Sequence, residues 1–130
     1  ASKPATTTSK PATNKAGLTV DGLWGKSTTK ALQKVLGTTA DGIVSNQYSA
    51  YKASNPGLLS QSWQWEAKPS GSSPMVKAMQ KRLGVTADGH IGPKTIKALQ
   101  KRMGTTVDGY ISKSSPCVKE LQKRLNSGKF

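Results

Sequence analysis

The sequence has few of the residues on which disulfide-linked, metal-binding and membrane proteins depend. Among its 130 residues are one cysteine, Cys117, and one histidine, His90. A single cysteine excludes an intramolecular disulfide, and one cysteine with one histidine excludes an ordinary zinc site. No apolar run is long enough to span a membrane, and no signal peptide is recognisable. We therefore expect a fold held by packing, without metal, cofactor or membrane partner.

Acidic residues are also scarce, since six Asp and Glu stand against twenty Lys and Arg, for a formal net charge of +14. Four of the six lie in repeated Asp-Gly pairs, which leaves Glu66 and Glu120 far apart in the chain. The sequence thus offers no evident carboxylate pair for acid-base work on a sugar. No serine or cysteine is placed as a nucleophile beside His90, so we expect no catalytic residues. The excess of cations favours an anionic partner.

The chain does contain a repeat. A seven-residue phrase of the form Thr, small apolar, Asp-Gly, variable, apolar, Gly or Ser occurs four times, at 19–25, 39–45, 86–92 and 106–112. Residues 18–45 laid over 85–112 agree at 16 of 28 positions. Features common to all copies indicate architecture, and differences between copies are where we look for function.

Each phrase predicts a tight turn in which the glycine takes a positive φ and the aspartate bonds nearby N–H groups. The residue after Asp-Gly varies, whereas the next one is always apolar, which predicts alternating outward and inward positions. The expected outward residues are Leu23, Ile43, His90 and Tyr110, and the expected core residues are Trp24, Val44, Ile91 and Ile111.

Four stretches have the apolar spacing of an amphipathic helix. Their apolar positions are Ala31, Leu32, Val35 and Leu36; Val76, Met79 and Leu83; Ile96, Leu99 and Met103; and Val118, Leu121 and Leu125. Proline suits the first helical position, which predicts helix starts at Pro74, Pro93 and Pro116, with Lys26 in the corresponding place of the first helix. Left-handed caps are predicted at Gly37, Gly84 and Gly104, with Asn126 as the substitute in the fourth helix.

These signals predict a mainly α fold of two small pseudo-repeated lobes, whose short helices are joined by Asp-Gly turns and short extended segments. Residues 1–17, rich in Pro, Thr and Lys, predict a flexible linker. The first lobe is assigned to 18–66 and the second, with three helices, to 67–130. The helix at 74–83 has no counterpart at 7–16, where Pro11 and the lack of large apolar residues exclude one. The first lobe therefore lacks its opening helix.

Residues 46–66, which we call the insert, hold most of the aromatic side chains outside the repeats. Trp63-Gln-Trp65 alternates like a strand and places both indoles on one side. Two roles are open for these indoles: they fill the gap left by the missing helix, or they contact a ligand. The ligand-binding hypothesis names Trp63, Trp65, His90 and Tyr110, because aromatic faces suit sugar rings and flat amides.

The stretch from Asp88 to Gln100, DGHIGPKTIKALQ, is echoed by DGLWGKSTTKALQ from Asp21 to Gln33. Both resemble the signature of the peptidoglycan-binding-like module, a small three-helix fold that binds cell walls. The paired arrangement, closed by LQKRLN at 121–126, further resembles the C-terminal wall-binding region of bacteriophage endolysins that attack Gram-positive bacteria. The likeness covers about residues 18–126. The chain departs from the family in its missing first helix and in the pair His90-Ile91.

The resemblance implies a non-catalytic domain that anchors a lytic enzyme to the bacterial wall. The enzyme would be an N-terminal muramidase or amidase of the same parent chain, made in the host cytoplasm if phage-encoded. The implied ligand is peptidoglycan, recognised through its stem peptide, interpeptide bridge or glycan, and teichoic acid is a further implied partner. The domain is expected to be a monomer. The alternative is a basic nucleic-acid-binding domain. Its expected groove-reading or stacking motif is missing, and the basic residues are spread over several helices, so we expect no nucleic-acid partner.

Overall fold

A computed structural model describes residues 17–130; the prediction of a linker at 1–17, and of no helix at 7–16, lies outside that range except for Gly17. The described chain is mainly helical, as predicted. Its helices are α1 (Lys26–Leu36), α2 (Pro74–Leu83), α3 (Pro93–Met103) and α4 (Pro116–Asn126). Two strands, β1 (Val44–Tyr48) and β2 (Trp63–Glu66), pair in parallel, and a short 3₁₀ helix, Ser49–Tyr51, follows β1.

All four helices start where the sequence predicts, and α1, α2 and α3 also stop at their predicted caps. Proline occupies the first turn of α2, α3 and α4, and serine precedes two of these helices. The hydroxyl oxygen of Ser73 accepts the Val76 N–H, and that of Ser115 accepts the Val118 N–H, both at 3.3 Å. A serine cap of this kind stabilises a helix by about 1 kcal/mol. Left-handed caps with φ of 74–78° are confirmed at Gly37, Gly84 and Gly104.

The predicted cap at Asn126 is wrong. Asn126 is the last residue of α4, and the positive φ of 73° falls two residues later, at Gly128. The Asn126 side chain instead bonds the backbone of Leu18: its Oδ1 accepts the Leu18 N–H at 2.6 Å and its Nδ2 donates to the Leu18 carbonyl at 3.0 Å. A distant partner outweighs the local preference of asparagine for a turn.

The four helices close into a ring. Helix α1 packs against α2 and α4, and α3 packs against the same two helices. The buried apolar residues form one cluster to which both halves of the chain contribute, including the fully buried Trp24, predicted as core. The mainly helical prediction is therefore confirmed, whereas the division into lobes at 18–66 and 67–130 stays a prediction.

The insert lies against this ring and reaches every Asp-Gly phrase. In each phrase the predicted inward residue is buried, and its backbone N–H donates to an acceptor of the insert. Trp24 N donates to Gly57 O and Val44 N to Ser62 O, both at 2.8 Å; Ile91 N donates to Gln47 Oε1 at 2.6 Å and Ile111 N to Asn55 Oδ1 at 2.7 Å. Satisfying these buried donors gives the insert a structural role at all four phrases.

Candidate functional site

The site is built on turns that a buried glutamine holds in place. In each phrase the aspartate accepts the N–H two residues on, and the glycine has a φ of 75–81°. A helical glutamine accepts the glycine N–H and donates to both the aspartate carboxylate and the following carbonyl. These glutamines are Gln33, Gln80, Gln100 and Gln122. The residue after each Asp-Gly pair is exposed at Tyr110 and half-buried at Leu23, Ile43 and His90.

The partner of the first phrase comes from the far end of the described chain. Gln122 of α4 bonds the turn at Asp21, about a hundred residues earlier, and its Nε2 also donates to Thr28 Oγ1 at 3.1 Å. The other three glutamines lie eight residues before the aspartate they bond. Helix α4 thus supplies to the first phrase the glutamine that the other three phrases receive from the helix before them.

These bonds hold the four turn aspartates ionised. The Leu23 N–H, with help from the Gln122 amide, lowers the pKa of Asp21 below its ordinary value of 3.8. The Ile43 N–H does the same to the pKa of Asp41, and the Gln100 amide to that of Asp108. Burial alone would raise the pKa of Asp88, but hydrogen bonds from His90 N–H and Gln80 and the charge of His90 lower it. Hydrogen bonds to a carboxylate favour its charged form.

Two clefts meet at Leu59, in the insert. The first, which we call the polar cleft, has a volume of about 300 Å³ and lies between the first phrase and the insert. Its walls include Asp21, Lys26, Ser27 and Gln61, with Leu23 and Leu59 as apolar surface. A carboxylate, an ammonium, a hydroxyl and an amide therefore line one concavity.

The second, which we call the apolar cleft, lies wholly within the insert and has a volume of about 500 Å³. Ala53, Pro56, Leu58 and Leu59 supply its apolar walls, and Ser49, Lys52 and Ser60 its polar ones. Leu59 lines both clefts, so the two concavities are neighbours on the surface. Sequence reasoning missed this site. The signal for it was the insert itself, the long stretch that interrupts the repeat.

Trp63 and Trp65 lie together, as the prediction of a strand with both indoles on one side requires. They belong to β2, and their rings stack with centroids 5.9 Å apart and 16° between planes. Trp63 is 1% exposed and packs edge to face on Trp24 at 5.2 Å, so its assignment as a ligand contact is corrected. An indole without exposed surface cannot receive a ligand, and it fills the interior instead. Trp65 is half-buried against the same core.

His90 lies in an aromatic group with two tyrosines of the insert. Its ring is 4.9 Å from that of Tyr48, which is 6.5 Å from that of Tyr51, both in edge-to-face geometry. His90 Nε2 lies 2.7 Å from the carbonyl oxygen of Gly71, which can only accept, so Nε2 carries the proton. Tyr48 is 38% exposed and leaves this group open to solvent.

Tyr110 stands apart from the other predicted site residues. Its side chain is 54% exposed, the largest value among the exposed apolar and aromatic residues of the described chain. Within residues 17–130, no aromatic pair joins it to His90, Trp63 or Trp65. The four predicted residues therefore divide into a tryptophan pair beside the core, one half-buried histidine and one exposed tyrosine. No single surface holds all four.

Cys117 is buried, and burial raises the pKa of its thiol to about 12, so it stays protonated and unreactive at neutral pH. Over the part of the chain that the structure describes, no three His, Cys, Asp or Glu residues cluster as metal ligands would. Nor, in that part, is any helix long and apolar enough to cross a bilayer. Comparison with protein-family models, curated proteins and solved structures gave no significant match.

Proposed function

We propose that this chain is a non-catalytic domain that binds peptidoglycan and anchors a lytic enzyme, of the phage endolysin kind, to the Gram-positive cell wall. The observation that carries the proposal is the pair of clefts at Leu59, on the segment that the repeats do not account for. A polar cleft beside an apolar one fits a strand of wall material that alternates charged or amide groups with methyl-bearing ones.

The proposal includes a pseudo-repeated architecture, with lobes at 18–66 and 67–130. The recurring bond set of glutamine, aspartate and glycine supports it, because the same local chemistry recurs at both phrases of each half. In this view α4 serves the first lobe as well as the second, since Gln122 bonds the first phrase. The insert then lies within the first lobe, supports the phrases of both lobes and gives the first lobe the ligand site.

The charge of the chain supports a wall partner. The wall of a Gram-positive bacterium offers carboxylates on its stem peptides and phosphates on its teichoic acids, and a net charge of +14 speeds the encounter with either. Screening over about 8 Å at physiological salt means that this charge sets the rate of association more than its specificity. Specificity is assigned to the clefts, with Trp65, His90 and Tyr110 kept as further candidate contacts.

The test is a sedimentation assay with purified walls. The variant Leu59→Ser/Gln61→Ala changes the wall shared by both clefts and one polar group of the polar cleft. We expect its wall affinity to fall at least tenfold. A control variant, Val107→Ser, removes an exposed apolar side chain that lines neither cleft. It should bind like the parent chain.

Thermal unfolding of each variant separates lost contacts from lost folding, because a folded variant must still melt cooperatively near the parent temperature. The proposal fails if the parent chain sediments with walls no better than an inert protein of equal charge. It fails equally if the chain hydrolyses the walls by itself. Tyr110→Ala in the same assay tests the exposed tyrosine separately from the clefts.

A further inference from the structure

The C-terminal ends of three helices converge on one arginine. Arg102, in the last turn of α3, donates from Nη1 to the carbonyl oxygen of Arg82 at the end of α2, at 3.5 Å. Its Nη2 donates to the Phe130 carbonyl oxygen, just beyond α4, at 3.3 Å, and its guanidinium lies 4.7 Å from the Phe130 ring centroid. These contacts place the ends of α2, α3 and α4 side by side.

Each of these helix ends bears a Lys-Arg pair. Together with one lysine after α4 they form what we call the basic end: Lys81, Arg82, Lys101, Arg102, Lys123, Arg124 and Lys129. Six of the seven side chains are exposed, and Arg124 is half-buried. Arg124 pairs with Glu120 at 3.2 Å, the one ion pair within residues 17–130. In the sequence these cations are spread over several helices, whereas in the structure the ends that bear these seven come together.

Ordinary helix chemistry explains only part of this gathering. A cation in the last turn complements the helix dipole by about 0.3–1 kcal/mol, which accounts for one such residue in any helix. It does not account for three pairs brought together, since like charges at close range repel one another. An anionic partner would remove that repulsion. Packed helix axes lie about 8–10 Å apart, so the basic end extends over about 20 Å, a length that suits a chain of anions better than a single one.

We propose that the basic end binds the phosphodiester backbone of an anionic wall polymer of the teichoic-acid type. This inference rests on the proposed function and adds a second surface to it, because none of the seven residues lines the clefts at Leu59. One weak contact with the polymer and one with peptidoglycan would reinforce each other on the same wall, as linked sites do.

A teichoic-acid chain is favoured over a nucleic acid by the aromatic residue at this end. Proteins that hold single-stranded nucleic acid stack its bases on open aromatic faces between the cations. Phe130 is only 8% exposed, and the Arg102 guanidinium lies over its ring. The basic end therefore offers charge without a stacking platform. A polymer with phosphates and no bases can pair with these cations and needs no stacking contact.

The experiment compares two triple variants with the same net charge. Lys81→Gln/Lys101→Gln/Lys123→Gln neutralises one lysine at each of the three converging helix ends and leaves Arg102 intact. Lys77→Gln/Lys97→Gln/Lys119→Gln, the control, neutralises the exposed lysine one turn earlier in the same helices. Binding is measured against soluble poly(glycerol phosphate), against walls with and without their phosphate polymers, and against single-stranded and duplex DNA, over a range of salt concentrations.

We expect the helix-end variant to bind poly(glycerol phosphate) and untreated walls on the order of tenfold more weakly at physiological salt, whereas the control changes less than threefold. The slope of log affinity against log salt should fall by about 2–3, as lost phosphate contacts predict. Equal losses in both variants would show diffuse charge and overturn the proposal. Tighter binding to either DNA, lost in the same variant, would overturn it in favour of a nucleic-acid surface.

The walls stripped of phosphate polymers separate this proposal from the proposed function. If the parent chain binds stripped and untreated walls equally, and the helix-end variant does too, the basic end has no polymer ligand and peptidoglycan binding still stands. If the parent chain binds neither wall, the proposed function itself fails. Cooperative melting of both triple variants near the parent temperature confirms that any loss is one of contact.

Discussion

The first and third Asp-Gly phrases have the same local chemistry and opposite dependence on the rest of the chain. The third phrase is closed by Gln80, eight residues before Asp88, so one helix and one turn complete it. The first phrase is closed by Gln122, which the chain brings back from about a hundred residues away. Joining distant segments costs more chain entropy than closing a short loop. The same motif can therefore be completed by neighbouring residues in one copy and by the opposite end of the domain in another.

The largest expected effect comes from the way the insert supports each phrase. The first phrase packs Trp24 on Trp63, whereas the third makes two hydrogen bonds with Gln47: Ile91 N donates to Gln47 Oε1, and Gln47 Nε2 donates to the Gly89 carbonyl oxygen. Trp63→Ala should lower the free energy of unfolding by about 3–5 kcal/mol through lost burial and a cavity, and Gln47→Ala by about 2 kcal/mol. Urea denaturation measures both. A Trp63→Ala variant of normal stability that no longer binds walls would restore the ligand role for this indole.

The next effect is at the turn glycines. A Cβ on Gly22 would lie 2.5–2.6 Å from backbone atoms of Ser114 and Ser115, whereas on Gly109 it would meet the flexible side chain of Lys97 at 3.2 Å. Both glycines have a positive φ, which alone costs an alanine about 1 kcal/mol. We expect Gly22→Ala to lose about 3 kcal/mol and Gly109→Ala about 1 kcal/mol, because only the first must shift backbone. Equal melting temperatures for Gly22→Ala and Gly109→Ala would contradict the backbone crowding at Gly22.

A smaller difference separates the glutamines themselves. Gln122→Ala and Gln100→Ala each leave buried N–H groups unpaired and should each cost about 2–3 kcal/mol. They should differ in where the structure opens. Loss of Gln122 frees the segment from Leu18 to the first phrase, so amide hydrogen exchange should speed up there and in α4. Loss of Gln100 should speed exchange only around the fourth phrase. Identical exchange patterns in the two variants would show that the contact between α4 and the first phrase does not open independently of the rest of the fold.

The smallest effect is on pH dependence. Folding lowers the pKa of the turn aspartates, so their stabilisation is present above their ordinary pKa of 3.8 and is lost as the pH falls through the lower folded values. The melting temperature should therefore drop below about pH 4. Asp21→Asn and Asp88→Asn should each flatten this drop by a similar amount, because both carboxylates accept an N–H and a glutamine amide. A drop that persists unchanged in both variants would point to other carboxyl groups.

Local signals in the sequence predicted the local structure well. Proline fixes its own φ, and glycine adopts a positive φ without the steric cost that a Cβ brings. The starts of α2, α3 and α4 and three helix caps were therefore predictable. The Asp-Gly turns, the inward Trp24 and the strand that places Trp63 and Trp65 on one side followed from spacing alone. Asn126 failed as a cap because its partner, Leu18, is distant in the chain.

The contacts between segments that are distant in the chain could not be predicted in this way. A glutamine in a helix gives no sign of whether it bonds the next turn or, as Gln122 does, the first one. The clefts were missed for a related reason: Leu59 and Gln61 belong to no repeat, and only the packing of the insert beside the first phrase brings them to Lys26. Burial likewise decided between the two roles left open for Trp63.

The bonds between Leu18 and Asn126 also determine how the domain would bear tension. A pull transmitted through residue 17 reaches Leu18 first, and two hydrogen bonds from Asn126 pass that load directly to α4. Helix α4 is in turn held to the first phrase by Gln122, so the strain would be shared across the ring before α1 begins to unravel. If the proposed anchoring function holds, these hydrogen bonds would resist peeling of the domain from its N-terminal side.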